Sequence, residues 1–437
     1  MIIGDRAVER RIKRANTDWW INEKAVVGMN GKTYIAYFTD MGEIHVKELD
    51  AKCSRALSRD VCLCRLNGSY ADEHNSPSIC IMENGRIIVA YTAHAATHTL
   101  KYRVTDRPYD IESFGPEKVL TYQSSVTYAQ LFENTRRHEL WLFTRVNSVT
   151  WEFRRSPDEG ETWSAPHTFL KSDAGGLFYF DVHKQLVLDE KSGIREQWFF
   201  ALYGHPRISK DHTIRAGIFD DEGSLLRLDG RQNGMSLFAE GEAGELALSA
   251  LDVVYDSPEG TTVRLLEVAP TLPYRVGLAT FELNRPETIT YYIASWREDG
   301  FRLSAPICKG GEFLSPDTQL DGSQTYVGGM ACYYGVGAAG IHARHHGETI
   351  NTDRVFIARF DGAERLLESY VSTDRGATYG LEQVIRRLAT PDQQKIWRPI
   401  VPIHAQDNLP VYWHEGVYAA HTGGWHCDAV MLVEYDD

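Results

Sequence analysis

Two histidines set twenty residues apart, His74 and His94, frame the stretch of this 437-residue chain best equipped for chemistry. His74 precedes one β-type run and His94 follows the next, within DEHNSPSICIMENGRIIVAYTAHAATH. A strand–turn–strand hairpin of that length returns its two ends to one sheet edge. The spacing therefore predicts two imidazoles side by side, with Asn75 next to the first and His98 as a third candidate. Tyr128 in SSVTYAQL and Arg145 in ELWLFTR bracket a second hairpin, and YGHPR adds His205 and Arg207 after the run QWFFAL. Imidazole exchanges protons near neutral pH, and a guanidinium fork holds anions. Polar groups of these types at matching hairpin ends point to a cleft for a polar ligand. Each residue alone has a plainer reading. A strand-end histidine serves as a hydrogen-bonded structural group, Tyr128 as a core aromatic, Arg145 as half of a rim ion pair, and Arg207 and Arg215 as solvated charges. Only the combination carries the site.

The elements that would hold these groups are strands. Runs such as KTYIAYFT, GRIIVAYTA, ELWLFTRV, QWFFALYG, TITYYIASW and AVMLVEY recur along the chain, bounded by Gly, Asp, Asn and Pro. ERLLESY and LEQVIRRL have some helical character, and both are short. The fold class is all-β. Ser156–Trp163 and Ser372–Tyr379 share the pattern S-x-D-x-G-x-T-aromatic, with looser copies at 294–306 and 104–116. In such a turn Asp bonds back to turn amides, Gly accepts positive φ, and the aromatic packs beneath. This is the Asp-box pattern, and the repeats resemble those of sialidase-like propellers. Repeated sheets that bury their faces against neighbours imply radial repetition. At roughly 50–65 residues per blade the chain makes six to eight four-stranded antiparallel blades, and seven is the expectation. The pattern runs through 1–437 as one propeller domain, with 1–20 an extension or closing strand.

Composition narrows the function. Net charge is −14, which disfavours nucleic acid or an anionic membrane as partner, though a pocket can still be locally basic. No apolar run is long enough to span a bilayer. The start, MIIGDRAVERRIKRANTDWW, lacks the pattern of a secretory leader, so a cytoplasmic protein, or an exported one whose leader has been removed, is expected. Seven cysteines without a CxxC pair read mainly as reduced buried thiols. His404, His414, His426 and Cys427 are the candidate metal ligands.

The chain resembles a known family. DEHNSPSICIMENGRIIVAYTAHAATHTLKYRVT, TYAQL…LWLFTR, FYF…ALYGHP, TYVGGM and WRPIVP…VYWHEGVYAA look like the Asp-box (BNR) repeat propellers that include ulvan lyases and rhamnosyl-glucuronate lyases. The resemblance implies β-elimination at a 4-O-linked uronic acid in an anionic oligo- or polysaccharide. On that resemblance His74 and His94 match paired histidines, one of them the base and also an acid to the departing oxygen, and Tyr128 matches a proton donor or acceptor; the roles among the three stay open. Arg145 would neutralise the uronate carboxylate, with His205 or Arg207 assisting, and Tyr179 would contact the sugar. No cofactor is required for the chemistry, while some relatives hold a structural zinc or calcium. Two other classes compete. A sialidase-type hydrolase should carry flanking carboxylates and an early Arg-Ile-Pro, which is missing here. A non-catalytic carbohydrate-binding propeller would use the ten Trp and 22 Tyr for sugar stacking.

Overall fold

The computed structural model describes residues 7–17, 24–50, 58–66, 72–171, 178–189, 193–204, 212–239, 241–269, 273–314, 327–333, 353–389, 394–405, 411–418 and 425–434. Among these the regular elements are β-strands and short 3-10 turns, arranged as seven antiparallel sheets of four to six strands. The expected all-β propeller with seven blades built on four antiparallel strands matches these sheets. No helix among the described residues is long and apolar enough to cross a membrane.

The chain divides into two compact units, 1–169 with 401–437, and 170–400. In the first, Lys32–Thr39, Glu43–Asp50 and Arg59–Arg65 form one meander. Ser78–Ile81, Ile87–Tyr91, Thr99–Val104 and Lys118–Thr121 form the next, and Val126–Asn134, Glu139–Val146 and Thr150–Ser156 a third. Ala7–Ile12 pairs antiparallel with Trp425–Glu434, which pairs with Val411–Tyr418, so the N-terminal segment is a strand completing a C-terminal hairpin. In the second unit the long hairpin Phe178–Asp189/Gly193–Gly204 begins one sheet. Thr261–Ala269/Arg275–Glu282 begins another, and Asp353–Phe360/Glu364–Ser372/Gly380–Ala389 form most of a third.

Burial explains why these runs are strands. Glu139–Val146 is buried on both faces, as a near-continuous apolar run requires, while Thr99–Val104 alternates buried and half-exposed positions. Trp141 is fully buried edge-on to Phe153, with ring centroids 5.4 Å apart; side chains of this size contribute about 2–3 kcal/mol each when removed from water. The two segments with helical character are strands as well: ERLLESY lies in Glu364–Ser372 and LEQVIRRL in Gly380–Ala389, paired to each other. Isolated helices so short are marginal, and ladder pairing overrides their propensity.

Both Asp boxes fold alike. Asp158 Oδ1 accepts from Thr162 N at 2.8 Å, and Ser156 Oγ accepts from Gly160 N at 2.8 Å. Asp374 and Ser372 repeat this with Thr378 and Gly376 at 2.9 and 2.8 Å. Gly160 and Gly376 stand at φ +88° and +84°, which a side chain would strain. Beneath the first turn Trp163 Nε1 donates to Tyr102 Oη, and Tyr102 donates to Gly160 O, tying the turn to the preceding sheet. The six described cysteines are free thiols, with Cys80, Cys332 and Cys427 buried; Cys53 lies outside the described residues.

Candidate functional site

Asp72 starts the site. It caps the 3-10 turn Glu73–Asn75, its carboxylate accepting from His74 N at 3.1 Å, the role short acidic side chains favour. Ser76 precedes Pro77 and is extended, so the turn stops and the chain enters Ser78–Ile81. Ser78 pairs with Ala90 across the hairpin, which returns the chain to the turn at His94. Asn75 Oδ1 accepts from His94 N at 2.7 Å and fixes that return.

The two imidazoles are stacked, 4.0 Å between centroids and 11° between planes. Asp72 bridges them: Oδ1 lies 2.5 Å from His74 Nδ1, and Oδ2 lies 2.7 Å from His94 Nδ1. Burial alone would raise the Asp72 carboxyl, but the charge and hydrogen bond of His74, with the bond and charge of His94, hold it well below the usual carboxylate range. An ionised Asp72 only accepts, so each ring donates from Nδ1, and when a ring is neutral Nε2 is its basic nitrogen. The side chain of His94 is 23% exposed and that of His74 only 5%. His94 is the open member of the pair.

The next hairpin supplies Tyr128 and Arg145. The ladder pairs Thr127 with Arg145 and then skips to Gln130 with Phe143, leaving a bulge at Tyr128 and Ala129. Tyr128 sits there at φ +63°, a left-handed conformation that costs a non-glycine residue about 1–2 kcal/mol. Bulges re-aim side chains; here the ring stacks against both histidines, at 6.0 and 6.3 Å, and against Trp151 at 6.0 Å. The Arg145 guanidinium carbon lies 4.5 Å from the Tyr128 centroid. Thr127 Oγ1 accepts from Ala95 N at 3.0 Å and joins the two hairpins. Tyr128 and Arg145 are both buried.

His74, Asn75, His94, Tyr128 and Arg145 thus meet. The remaining candidates differ in setting. His98 is exposed, and Tyr179 is buried in the second unit with its ring 5.5 Å from Tyr203. His205 and Arg207 fall outside the described residues. The C-terminal metal candidates do not converge: His426 is exposed and bonds Asp40, and His414 Nε2 accepts from Thr17 N. Cys427 contacts Ala15 O, and His404 is exposed. Among the described residues, the groups close enough to share an ion are Asp72, His74 and His94. Asp72 already spans the two rings, with Oδ1 2.5 Å from His74 Nδ1 and Oδ2 2.7 Å from His94 Nδ1. Three contributors escaped the sequence reading. Asp72 stood inside the stretch singled out, and the Asp-x-His spacing of an N-cap was its signal. Trp151 sits opposite Arg145 across the turn at 147–149, and Thr127 opposite it on the other side; only ladder register reveals either.

Comparison with known proteins agrees with this architecture. A family model described as "BNR repeat-containing family member" matches residues 32–175. The curated Ulvan Lyase-PL25 of Pseudoalteromonas sp. (strain PLSV) is 28% identical over 122 residues, 24% of this chain and 24% of that protein. The match therefore spans about a quarter of the relative's length. Among solved structures, the PL25 ulvan lyase gives a TM-score of 0.64 at 15% identity, covering 98% of this chain and 96% of the other. This chain has the PL25 ulvan lyase fold. The structure of that lyase bound to -[GlcA(1-4)Rha3S]- gives 0.65 at 14% identity with the same coverage. The resemblance read from the motifs stands on these matches.

Proposed function

We propose that the protein is a polysaccharide lyase that cleaves a 4-O-linked uronic acid by β-elimination without a cofactor. The observation that carries this reading is a single buried carboxylate, Asp72, holding Nδ1 of two stacked imidazoles beside a tyrosine and an arginine. His94 Nε2, on the more open ring, takes the C5 proton. The electron pair left behind forms the C4=C5 double bond, and the C4–O bond breaks with its pair on the departing oxygen. Tyr128 gives its proton to that oxygen and regains one from the His94 imidazolium, so no net proton is consumed. Asp72 stabilises the imidazolium as it forms. Arg145 lies over the Tyr128 ring and supplies positive charge to the phenolate and to the charge developing on the uronate carboxylate.

Hydrolysis is less well served. Most glycoside hydrolases use two carboxyl groups flanking the scissile bond, whereas Asp72 is engaged by both histidines and Glu73 accepts from the Tyr418 hydroxyl. The relative's complex makes glucuronate 1,4-linked to sulfated rhamnose the first substrate to test. Ulvan and other uronate glycans should give a product with the ultraviolet absorbance of an unsaturated uronate, and His94→Ala should abolish it. New reducing ends without that absorbance would establish hydrolysis instead, and binding without turnover would establish a sugar-binding module.

A further inference from the structure

The turn that carries His94 is held at two consecutive amides by side chains from two other elements. His94 N donates to Asn75 Oδ1 at 2.7 Å, and Ala95 N donates to Thr127 Oγ1 at 3.0 Å. Asn75 belongs to the 3-10 turn before the hairpin, and Thr127 to the strand Val126–Asn134 of the next sheet. Both acceptors are buried, at 1% and 2% exposure. Ala95 stands at φ +49°, a left-handed setting that strains a residue with a Cβ and persists where its surroundings hold it.

Thr127 occupies a junction. Its main chain pairs with Arg145 across the hairpin, and the residue after it is Tyr128, at φ +63° in the bulge. Its side chain holds the residue after His94. Through one threonine the His94 turn, the Tyr128 bulge and the Arg145 strand are tied together. The hydroxyl is not needed to dock these segments, because Val126 N donates to Thr97 O at 3.0 Å whatever side chain stands at 127. Nor does that hydroxyl make another hydrogen bond among the described residues. Ala95 is exposed, so its N–H is open to water when the threonine acceptor is removed. What the hydroxyl adds is placement: it fixes one strained residue beside the open imidazole, whose ring stands 6.3 Å from that of Tyr128 with 17° between planes.

We infer that Thr127 is a positioning residue for the elimination. By holding the Ala95 amide, its hydroxyl sets the imidazole that takes the C5 proton against the phenol that protonates the departing oxygen. The inference rests on the elimination reading and deepens it, since it names what fixes the geometry that reading requires. A displacement of about 1 Å between such groups lowers a rate by about 10²-fold.

Two substitutions separate placement from packing. Thr127→Val keeps the branched shape and deletes the acceptor, whereas Thr127→Ser keeps the acceptor and deletes a methyl group from a buried position. With the full chain, kcat and KM for unsaturated uronate formation from ulvan are measured beside the melting temperature and the hydrogen exchange of the Ala95 amide. Thr127→Val should exchange Ala95 at least about tenfold faster and lower kcat by about 10–100-fold, with KM within about twofold and a melting temperature near the parent's. Thr127→Ser should melt lower yet keep kcat within about threefold of the parent. Rate and stability then move independently, which a residue that only packs would not produce. A Thr127→Val kcat within about tenfold of the parent, a loss confined to KM, an equal loss in both variants, or Ala95 exchange less than about tenfold faster would overturn the inference. A parent that forms no unsaturated product removes the elimination reading; faster Ala95 exchange in Thr127→Val would then leave the tether standing, and unchanged exchange would remove it as well.

Discussion

Replacing Asp72 by asparagine keeps the volume and removes the charge on which both histidines depend. The carboxylate accepts three N–H groups, the His74 amide at 3.1 Å and two Nδ1 donors at 2.5 and 2.7 Å. The side-chain amide of Asp72→Asn would offer one carbonyl oxygen and an NH2 that confronts a donor with a donor. Hydrogen bonds to a charged group contribute about 1.5–3 kcal/mol each. The bond that strengthens as His94 becomes imidazolium is lost together with the fixed tautomer, so about 3–5 kcal/mol of transition-state stabilisation should disappear. At about 1.4 kcal/mol per tenfold, kcat should fall by about 10²–10⁴ while KM changes little. The assay is the initial rate of unsaturated uronate formation over a substrate range, with the melting temperature as the folding control. A kcat within tenfold of the parent, or a loss confined to KM, would refute the two-histidine clamp as the source of the basic nitrogen. The sign of the acid response follows from the same group. The folded-state carboxyl is held below its unfolded value, so Asp72 stabilises the fold above about pH 4 and this contribution is lost on acidification below it. The Asp72→Asn variant should show a flatter stability profile over that part of the pH range.

Tyr128→Phe keeps the stacked ring and removes only the hydroxyl; kcat should drop about 10²-fold or more with the melting temperature nearly unchanged, and a fully active variant would remove Tyr128 from the proton path. Arg145→Met deletes the buried cation over that ring and should reduce stability by about 1–2 kcal/mol as well as lowering kcat, whereas Arg145→Lys should recover part of the rate; equal rates for both variants would rule out a charge effect. In the second Asp box, the side chain and amide of Thr378 with Ser372 pull the Asp374 carboxyl down to about 2. The turn is therefore stabilised above about pH 4 and weakens as pH falls toward 2, so Asp374→Asn should narrow its melting-temperature gap to the parent over that interval without changing turnover.

Much of the fold was readable because its signals are local. Strand runs, Gly- and Asp-bearing turns and the two Asp boxes each depend on neighbours within eight residues, and each formed as its residues dictate. The spacing of His74 and His94 was readable for the same reason, since hairpin length alone returns the chain to its starting edge. ERLLESY was ambiguous because its composition suits both periods and only ladder pairing chose between them.

The sequence by itself determined an all-β chain of repeated antiparallel sheets, an imidazole pair at one hairpin edge, and the residue types available for proton transfer and anion binding. Tertiary structure decided which groups share protons. Asp72 as a common acceptor, the bulge that turns Tyr128 onto the histidines, and Arg145 over its ring all depend on register and on packing between distant strands. Electrostatic effects on a group vary with ångström-scale distance and burial, and a linear sequence specifies neither until the sheets are packed.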